Sequence, residues 1–273
     1  MTTTAPSIPI PVITEPGGLG QISGAVRDTI AVTWRNLIAY VRVPQLLIFS
    51  TIQPVVFVLL FRYVFGGAIK VPGVDYVDYL MPGIFVQTVV FGALGAAVGL
   101  AADINTGLIE RFRSLPMARS AVLAGRTTAD LIRNVCVVFL MGAVGFLVGF
   151  RVHTNVVAAL AAVALVVLFG YAFSWIFATV GLLVHDPETA QAAAFPVMAP
   201  LVFASTAFVP LKSMPGWLQP FAEHQPVSAT VDAARALLLG GPTVTPLLKS
   251  LGWIVAILVI FAPLAVHRYR KVA

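Results

Sequence analysis

Asp103-Ile-Asn-Thr-Gly-Leu-Ile-Glu-Arg-Phe-Arg-Ser-Leu-Pro-Met-Ala-Arg-Ser-Ala-Val-Leu-Ala-Gly-Arg-Thr-Thr-Ala-Asp-Leu-Ile-Arg133 carries five arginines, Arg111, Arg113, Arg119, Arg126 and Arg133, in a chain with 17 basic residues in all. One apolar run stops just before it and another starts just after it. Charge held between two apolar runs, each long enough to cross hydrocarbon, reads as a loop at a membrane surface. The fold is therefore expected to be a membrane bundle, with this loop as the place from which it is worked.

Composition agrees. Of 273 residues, 59% are hydrophobic and 10% charged, and mean hydropathy is +0.95; soluble proteins average about 45–50% and about 25%. A soluble core of this length cannot absorb so much apolar surface, whereas a bilayer can. The net charge of +6 is what basic loops facing anionic lipid produce, so membrane lipid is the expected partner and nucleic acid is not. A single cysteine, Cys136, lies inside an apolar run, and no two of the four histidines have ligand spacing. Neither a disulfide framework nor a metal site is expected.

Residues 1–20, rich in Thr and Pro and without helical periodicity, read as a disordered cytoplasmic tail with no signal peptide. Over 21–43 the pattern changes. At 100° per residue, Ile22, Val26, Ile30, Trp34, Leu37 and Val41 share one arc and Arg27, Arg35 and Arg42 another, which predicts an amphipathic helix lying in the membrane interface. The remainder, 44–270, divides into six stretches almost free of charge, near 44–65, 79–102, 133–150, 156–184, 189–211 and 247–267. A span needs about 20 residues, so six spans fit and the fold class is an all-α polytopic membrane protein. With the N-terminus inside, cytoplasmic segments hold eleven basic residues and outer segments six, which predicts that both termini and the Asp103 loop are cytoplasmic.

Gly95-x-x-x-Gly99, Gly145-x-x-x-Gly149 and the run Gly170, Ser174, Ala178 place small residues one turn apart and read as helix-packing stripes. Pro54, Pro196 and Pro200 each remove a backbone donor within a span. Before the last span the chain turns repeatedly at Pro215, Gly216 and Pro220, with Trp217 between them; after Pro226, a helical pattern from Val227 to Leu239, with Asp232 and Arg235, ends at Gly240-Gly241-Pro242. Too short and too charged to span, this segment reads as a re-entrant or outer-leaflet helix.

Several chemistries are missing. The four lysines follow Ile, Leu, Leu and Arg, so there is no phosphate-binding loop and ATP cannot be held by that route. The close carboxylates, Asp75 with Asp78 and Asp186 with Glu188, read as solvated pairs at loop positions; no nucleophile elbow or zinc-binding His-Glu-x-x-His is present. The six stretches hold no charge at mid-span, where a proton-coupled transporter would carry its relay. The chain is not expected to be an enzyme.

The order Asp103-x-x-x-Gly107-x-x-Glu110-Arg111-x-Arg113-Ser-Leu-Pro116-x-x-Arg119, followed by Gly125-Arg126, resembles the first cytoplasmic loop of type-2 ABC exporter permeases. The run Ala207-Phe-Val-Pro-Leu-Lys-Ser-Met-Pro-Gly-Trp-Leu-Gln-Pro-Phe221, then His224-Gln-Pro-Val-Ser228 and Asp232-Ala-Ala-Arg235, resembles their daunorubicin/doxorubicin-resistance branch. The likeness covers roughly residues 22 to 270. It implies a bacterial inner-membrane permease that pairs with a second copy or a sibling and with ATP-binding cassette subunits, and that exports a lipophilic drug or lipid-like molecule. ATP and magnesium would belong to those partners, and this chain would hold no cofactor. The coupling site implied comprises Asp103, Gly107, Glu110, Arg111, Arg113, Pro116, Arg119 and Arg126. Physically, a short charged helix broken by Pro116 can seat in a groove of a soluble partner.

Three alternatives stay open at this point: a permease for polysaccharide or glycoconjugate export, a secondary transporter, and a non-transporting scaffold. Phe57, Phe61, Phe85, Phe91, Phe203 and Phe208 lean towards apolar cargo.

Overall fold

The computed structural model describes residues 18–42, 44–67, 69, 71, 73–108 and 119–272. Most of the predicted tail lies outside them, although its last three residues, Gly18 to Gly20, are already helical. Among the described residues every long element is a helix: α1 (Gly18–Arg42), α2 (Pro44–Leu59) continued by a π-helical turn (Leu60–Phe65), α3 (Tyr76–Asn105), α4 (Arg119–Val148), α5 (Val156–Val184), α6 (Pro187–Phe203), α7 (Gln219–His224), α8 (Pro226–Leu239) and α9 (Val244–Val272). Among the described residues four helical segments, Tyr76–Asn105, Ala121–Val148, Val156–Val184 and Val244–Lys271, are long and apolar enough to cross a membrane.

Helix α3 is the axis of the bundle. Every residue from Tyr76 to Val90 is buried, because α2, α4, α5, α6 and α8 all pack against this helix. Two close backbone approaches tighten the packing. A methyl group on Gly83 would lie 2.2 Å from the Ala207 carbonyl oxygen, and one on Gly181 would lie 2.4 Å from that of Ala97. A second apolar cluster joins Leu100, Leu123, Trp175 and Leu182 to Ala265 and Tyr269 of α9.

The expected small-residue stripes prove to be of different kinds. Gly170, Ser174 and Ala178 are buried, with Gly170 against Val89. Gly145 receives the Met81 side chain, whereas Gly149, at φ +107°, ends α4. Gly95 and Gly99 face arginine side chains of α4.

Helix α4 begins 14 residues before the third apolar stretch, so Arg119, Arg126 and Arg133 belong to one continuous helix. At the other extreme α6 stops at Phe203, short of the expected 211. The following backbone is buried yet not helical, and it needs partners. Gln225 Nε2 donates to the carbonyls of Leu201, in the last turn of α6, and Ala204 at 2.9 and 3.4 Å, Tyr79 Oη and Arg235 Nη2 to that of Thr206 at 3.1 and 2.9 Å, and Tyr76 Oη to that of Phe208 at 3.0 Å.

Helix boundaries follow local chemistry. Asn155 Oδ1 accepts from Ala158 N at 2.8 Å and starts α5. Asp186 Oδ2 accepts from both Thr189 N and Oγ1 and starts α6, with Pro187 at its first position. Those hydrogen bonds hold the Asp186 carboxyl below its ordinary range. Asp78, expected to be solvated, is buried: it accepts from Arg151 N at 2.8 Å and lies 3.3 Å from His153 Nε2.

Candidate functional site

At the C-terminal end of α3, three elements meet at one carboxylate. Asp103 Oδ2, in the last turn of α3, lies 2.7 Å from Arg126 Nη1 of α4 and 3.6 Å from Arg35 Nη2 of α1. A carboxylate at a helix C-terminus opposes the helix dipole, and the two guanidinium groups offset that. Arg126 reaches Asp103 by lying over Gly99: a methyl group there would sit 1.3 Å from Arg126 Nη2. Two residues beyond α3, Gly107 adopts φ +68°, the left-handed conformation that ends helices and suits glycine.

Helix α1 is clamped to the same platform. Thr33 Oγ1 donates to the Gly125 carbonyl at 3.1 Å, and Val32 packs so closely on Gly125 that a methyl group would meet its Cβ at 2.7 Å. Arg35 is drawn to Asp103, while the apolar arc keeps Val26, Ile30 and Trp34 uncovered. Next along, Tyr40 Oη donates to Asp130 Oδ1 at 2.9 Å, and the Tyr40 hydroxyl is pushed up to about 12, mainly by burial and then by the Asp130 charge. Arg133 stacks over the Tyr40 ring with its guanidinium carbon 5.6 Å from the centroid.

Of the predicted coupling residues, the structure brings together Asp103 and Arg126 and gives Gly107 the turn that launches the loop. Arg119 is the first residue of α4. Glu110, Arg111, Arg113 and Pro116 lie outside the described residues. Sequence reasoning missed Arg35, which completes the ion cluster; its place on the polar arc of α1 was the available signal.

The second predicted group is gathered around α8. Arg235 donates through Nε and Nη2 to the Tyr79 carbonyl at 3.2 and 3.1 Å, and through Nη1 to Asp232 Oδ1 at 2.9 Å. Its guanidinium carbon lies 3.6 Å from the Tyr79 ring centroid. Thr206 Oγ1 also donates to Asp232 Oδ1. Pro226 opens α8, with Gln225 Oε1 accepting from Val227 N. Pro215, Gly216 and Trp217 form the turn ahead of α7, and Trp217 is 80% exposed. Asp232 and Arg235 thus hold the end of α6 to α3, whereas Trp217 is free to meet its surroundings.

A profile of the family described as ABC-2 type transporter matches residues 27–239. The chain belongs to that family. Its relatives include the daunorubicin resistance ABC transporter permease protein DrrB1 of Streptomyces coeruleorubidus, 33% identical over 90% of this chain and 87% of the relative. The probable doxorubicin resistance ABC transporter permease protein DrrC of Mycobacterium tuberculosis is 31% identical over 99% and 98%. A putative transport permease, ycf38 of Cyanophora paradoxa, is 26% identical over 78% and 74%. As an ABC-2 permease, the chain is the multi-pass membrane subunit of an ABC exporter, whose ATP-binding subunit is a separate chain.

Proposed function

We propose that this permease exports a lipophilic drug or lipid-like molecule, and that the Asp103 platform couples it to its ATP-binding subunit. The observation that carries the coupling reading is the Arg35–Asp103–Arg126 cluster, which ties α1, α3 and α4 at the root of the loop. A push on that loop reaches three helices at once. ATP and magnesium are held by the partner, since no lysine here follows a glycine-rich turn.

The six-span arrangement is completed by α2 with its π-helical turn and by α6 with the segment to residue 211; α7 and α8 form the re-entrant element, and both termini are cytoplasmic. Two copies, or this chain and a sibling, assemble in the plasma membrane. An aromatic seam favours apolar cargo: Phe61 stacks on Phe208 with centroids 4.6 Å apart, and Phe57 and Phe91 approach Phe203 at 6.0 and 6.5 Å. The relatives named for daunorubicin and doxorubicin resistance point the same way.

The test is co-expression with the ATP-binding subunit and measurement of uptake into inverted membrane vesicles of three lipophilic probes, the amine daunorubicin, an uncharged lipophile and an anionic one. ATP-dependent accumulation that requires both chains is expected. An intact complex that hydrolyses ATP yet moves no lipophilic cargo would overturn the export reading.

A further inference from the structure

Arg133 is a charge in the middle of the bundle. It hydrogen bonds through Nη2 to the carbonyl of Gly92, a residue about 20 Å or more from both ends of α3 at 1.5 Å per residue. The absence of mid-span charge expected from the sequence therefore does not hold: Arg133 sits at the edge of an apolar stretch but folds inward along α4. Gly92 makes the approach possible, because a methyl group there would lie 2.8 Å from Arg133 Nη2 and 2.9 Å from Asn134 Oδ1.

Beside this arginine is a cavity of about 350 Å³, between α2, α3, α4 and the start of α6, within the range of about 300–1,000 Å³ typical of small-molecule sites. Gln87, Thr88, Arg133 and Asn134 give it a polar end, while Phe91, Leu94, Val98 and Val137 give it an apolar wall. Gln53 and Gln191, both exposed, stand at its mouth on α2 and α6. Gln87 and Asn134 are 2% exposed and Arg133 9%, yet Gln87 Oε1 and Arg133 Nε have no hydrogen-bond partner among the described residues. A buried polar group left so is costly, and more costly if charged.

We propose that this cavity binds the oxygen-rich polar head of a lipophilic molecule, with the Arg133 guanidinium donating to a carbonyl or carboxylate oxygen and Gln87 pairing with a hydroxyl. Asn134 is a positioning residue: its Oδ1 accepts from Arg133 Nη2 at 3.3 Å, and its amide nitrogen lies over Gly170. The head is neutral or anionic. Among the described residues no carboxylate lines the cavity; Asp130, outside that lining, accepts from Tyr40 through Oδ1 and stands 3.8 Å from Arg133, so a lipophilic cation in the cavity would meet the guanidinium with no lining carboxylate to pair with. The chemistry fits either an exported solute or a membrane lipid. The inference rests on the permease reading and gives that permease a head-group preference.

The experiment uses the permease purified with its ATP-binding subunit in lipid nanodiscs, without nucleotide. Four photoreactive diazirine probes with the same chain length are compared: a fatty acid, its alcohol, its primary amine and a phosphatidylglycerol carrying the same chain. Labelled peptides are mapped by mass spectrometry. The acid or alcohol is expected to label α2, α3 or α4 around the cavity at least fivefold above the amine, which identifies a solute site; labelling confined to phosphatidylglycerol identifies a lipid site of the same chemistry. Arg133→Met should reduce that labelling at least fivefold. Val137→Phe, which fills the apolar wall and leaves the arginine in place, should do the same and covers the case in which Arg133→Met misfolds. Equal labelling by the amine, labelling indifferent to Val137→Phe, or a cavity that takes no probe and holds only water overturns the proposal. Partner co-purification and ATP-driven transport in the same preparation test the permease reading separately.

Discussion

At the residue scale, the glycines of α3 are explained by the arginines of α4. Gly92 and Gly99 are seven residues apart, as are Arg126 and Arg133, so two guanidinium groups lie over one glycine-lined face. The Gly95-x-x-x-Gly99 spacing was legible as close packing; which group would approach was not, because an arginine at the end of an apolar run equally well reaches for headgroups. If Gly99 serves to seat Arg126, the two positions must be coupled. Gly99→Ala and Arg126→Ala should each lower the thermal stability of the solubilised protein, with the double variant little worse than Arg126→Ala alone. A coupling of about 0.5–3 kcal/mol is expected for residues in contact. Additive shifts in a fluorescence-detected thermal unfolding series would mean that Gly99 has another role.

At the element scale, the informative piece is the broken end of α6. The pattern from Val227 to Leu239 and its glycine terminator foretold α8, yet an uncharged, largely apolar run gave no sign that 204–210 leaves the helix. The partners that make this possible, Tyr76, Tyr79, Gln225 and Arg235, are remote in sequence from the backbone they satisfy. Arg235 is the sensitive point, with a forked set of bonds to two carbonyls and a carboxylate. Lysine cannot reproduce a planar fork, so Arg235→Lys should fail to restore what Arg235→Met loses. Leaving the buried carbonyls of Tyr79 and Thr206 unpaired costs about 1–3 kcal/mol, and limited proteolysis between 204 and 219 should accelerate in both variants. A cleavage rate unchanged from the parent would show that α8 does not hold this segment.

At the scale of the whole molecule, the arginines that marked the loop divide into two groups with different tasks. Arg126 and Arg133 are engaged inside the bundle, so the basic count of the segments expected to be cytoplasmic falls from eleven to nine, and with Arg235 likewise engaged that of the segments expected outside falls from six to five; the imbalance from which the orientation was expected keeps its sign. Asp103 and Gly107 have internal reasons, the one in the ion cluster and the other in its left-handed turn. Arg111 and Arg113 remain to decide between a topology signal and a docking face. Arg113→Glu, with Glu110→Lys as its companion, should leave membrane abundance unchanged while weakening capture of the ATP-binding subunit by at least about tenfold, or about 1.4 kcal/mol. Close, desolvated charge pairs at interfaces reach about 1.5–7 kcal/mol, so the effect is within reach of a pull-down titration. Asp103→Asn is the discriminating control. It should keep subunit capture, because the carboxylate points to Arg126 and Arg35, yet reduce export per ATP hydrolysed by loosening the link between loop and helices. Capture and export both unchanged in Arg113→Glu and Glu110→Lys would move the coupling role to the turn at His185 to Glu188, where α5 hands over to α6.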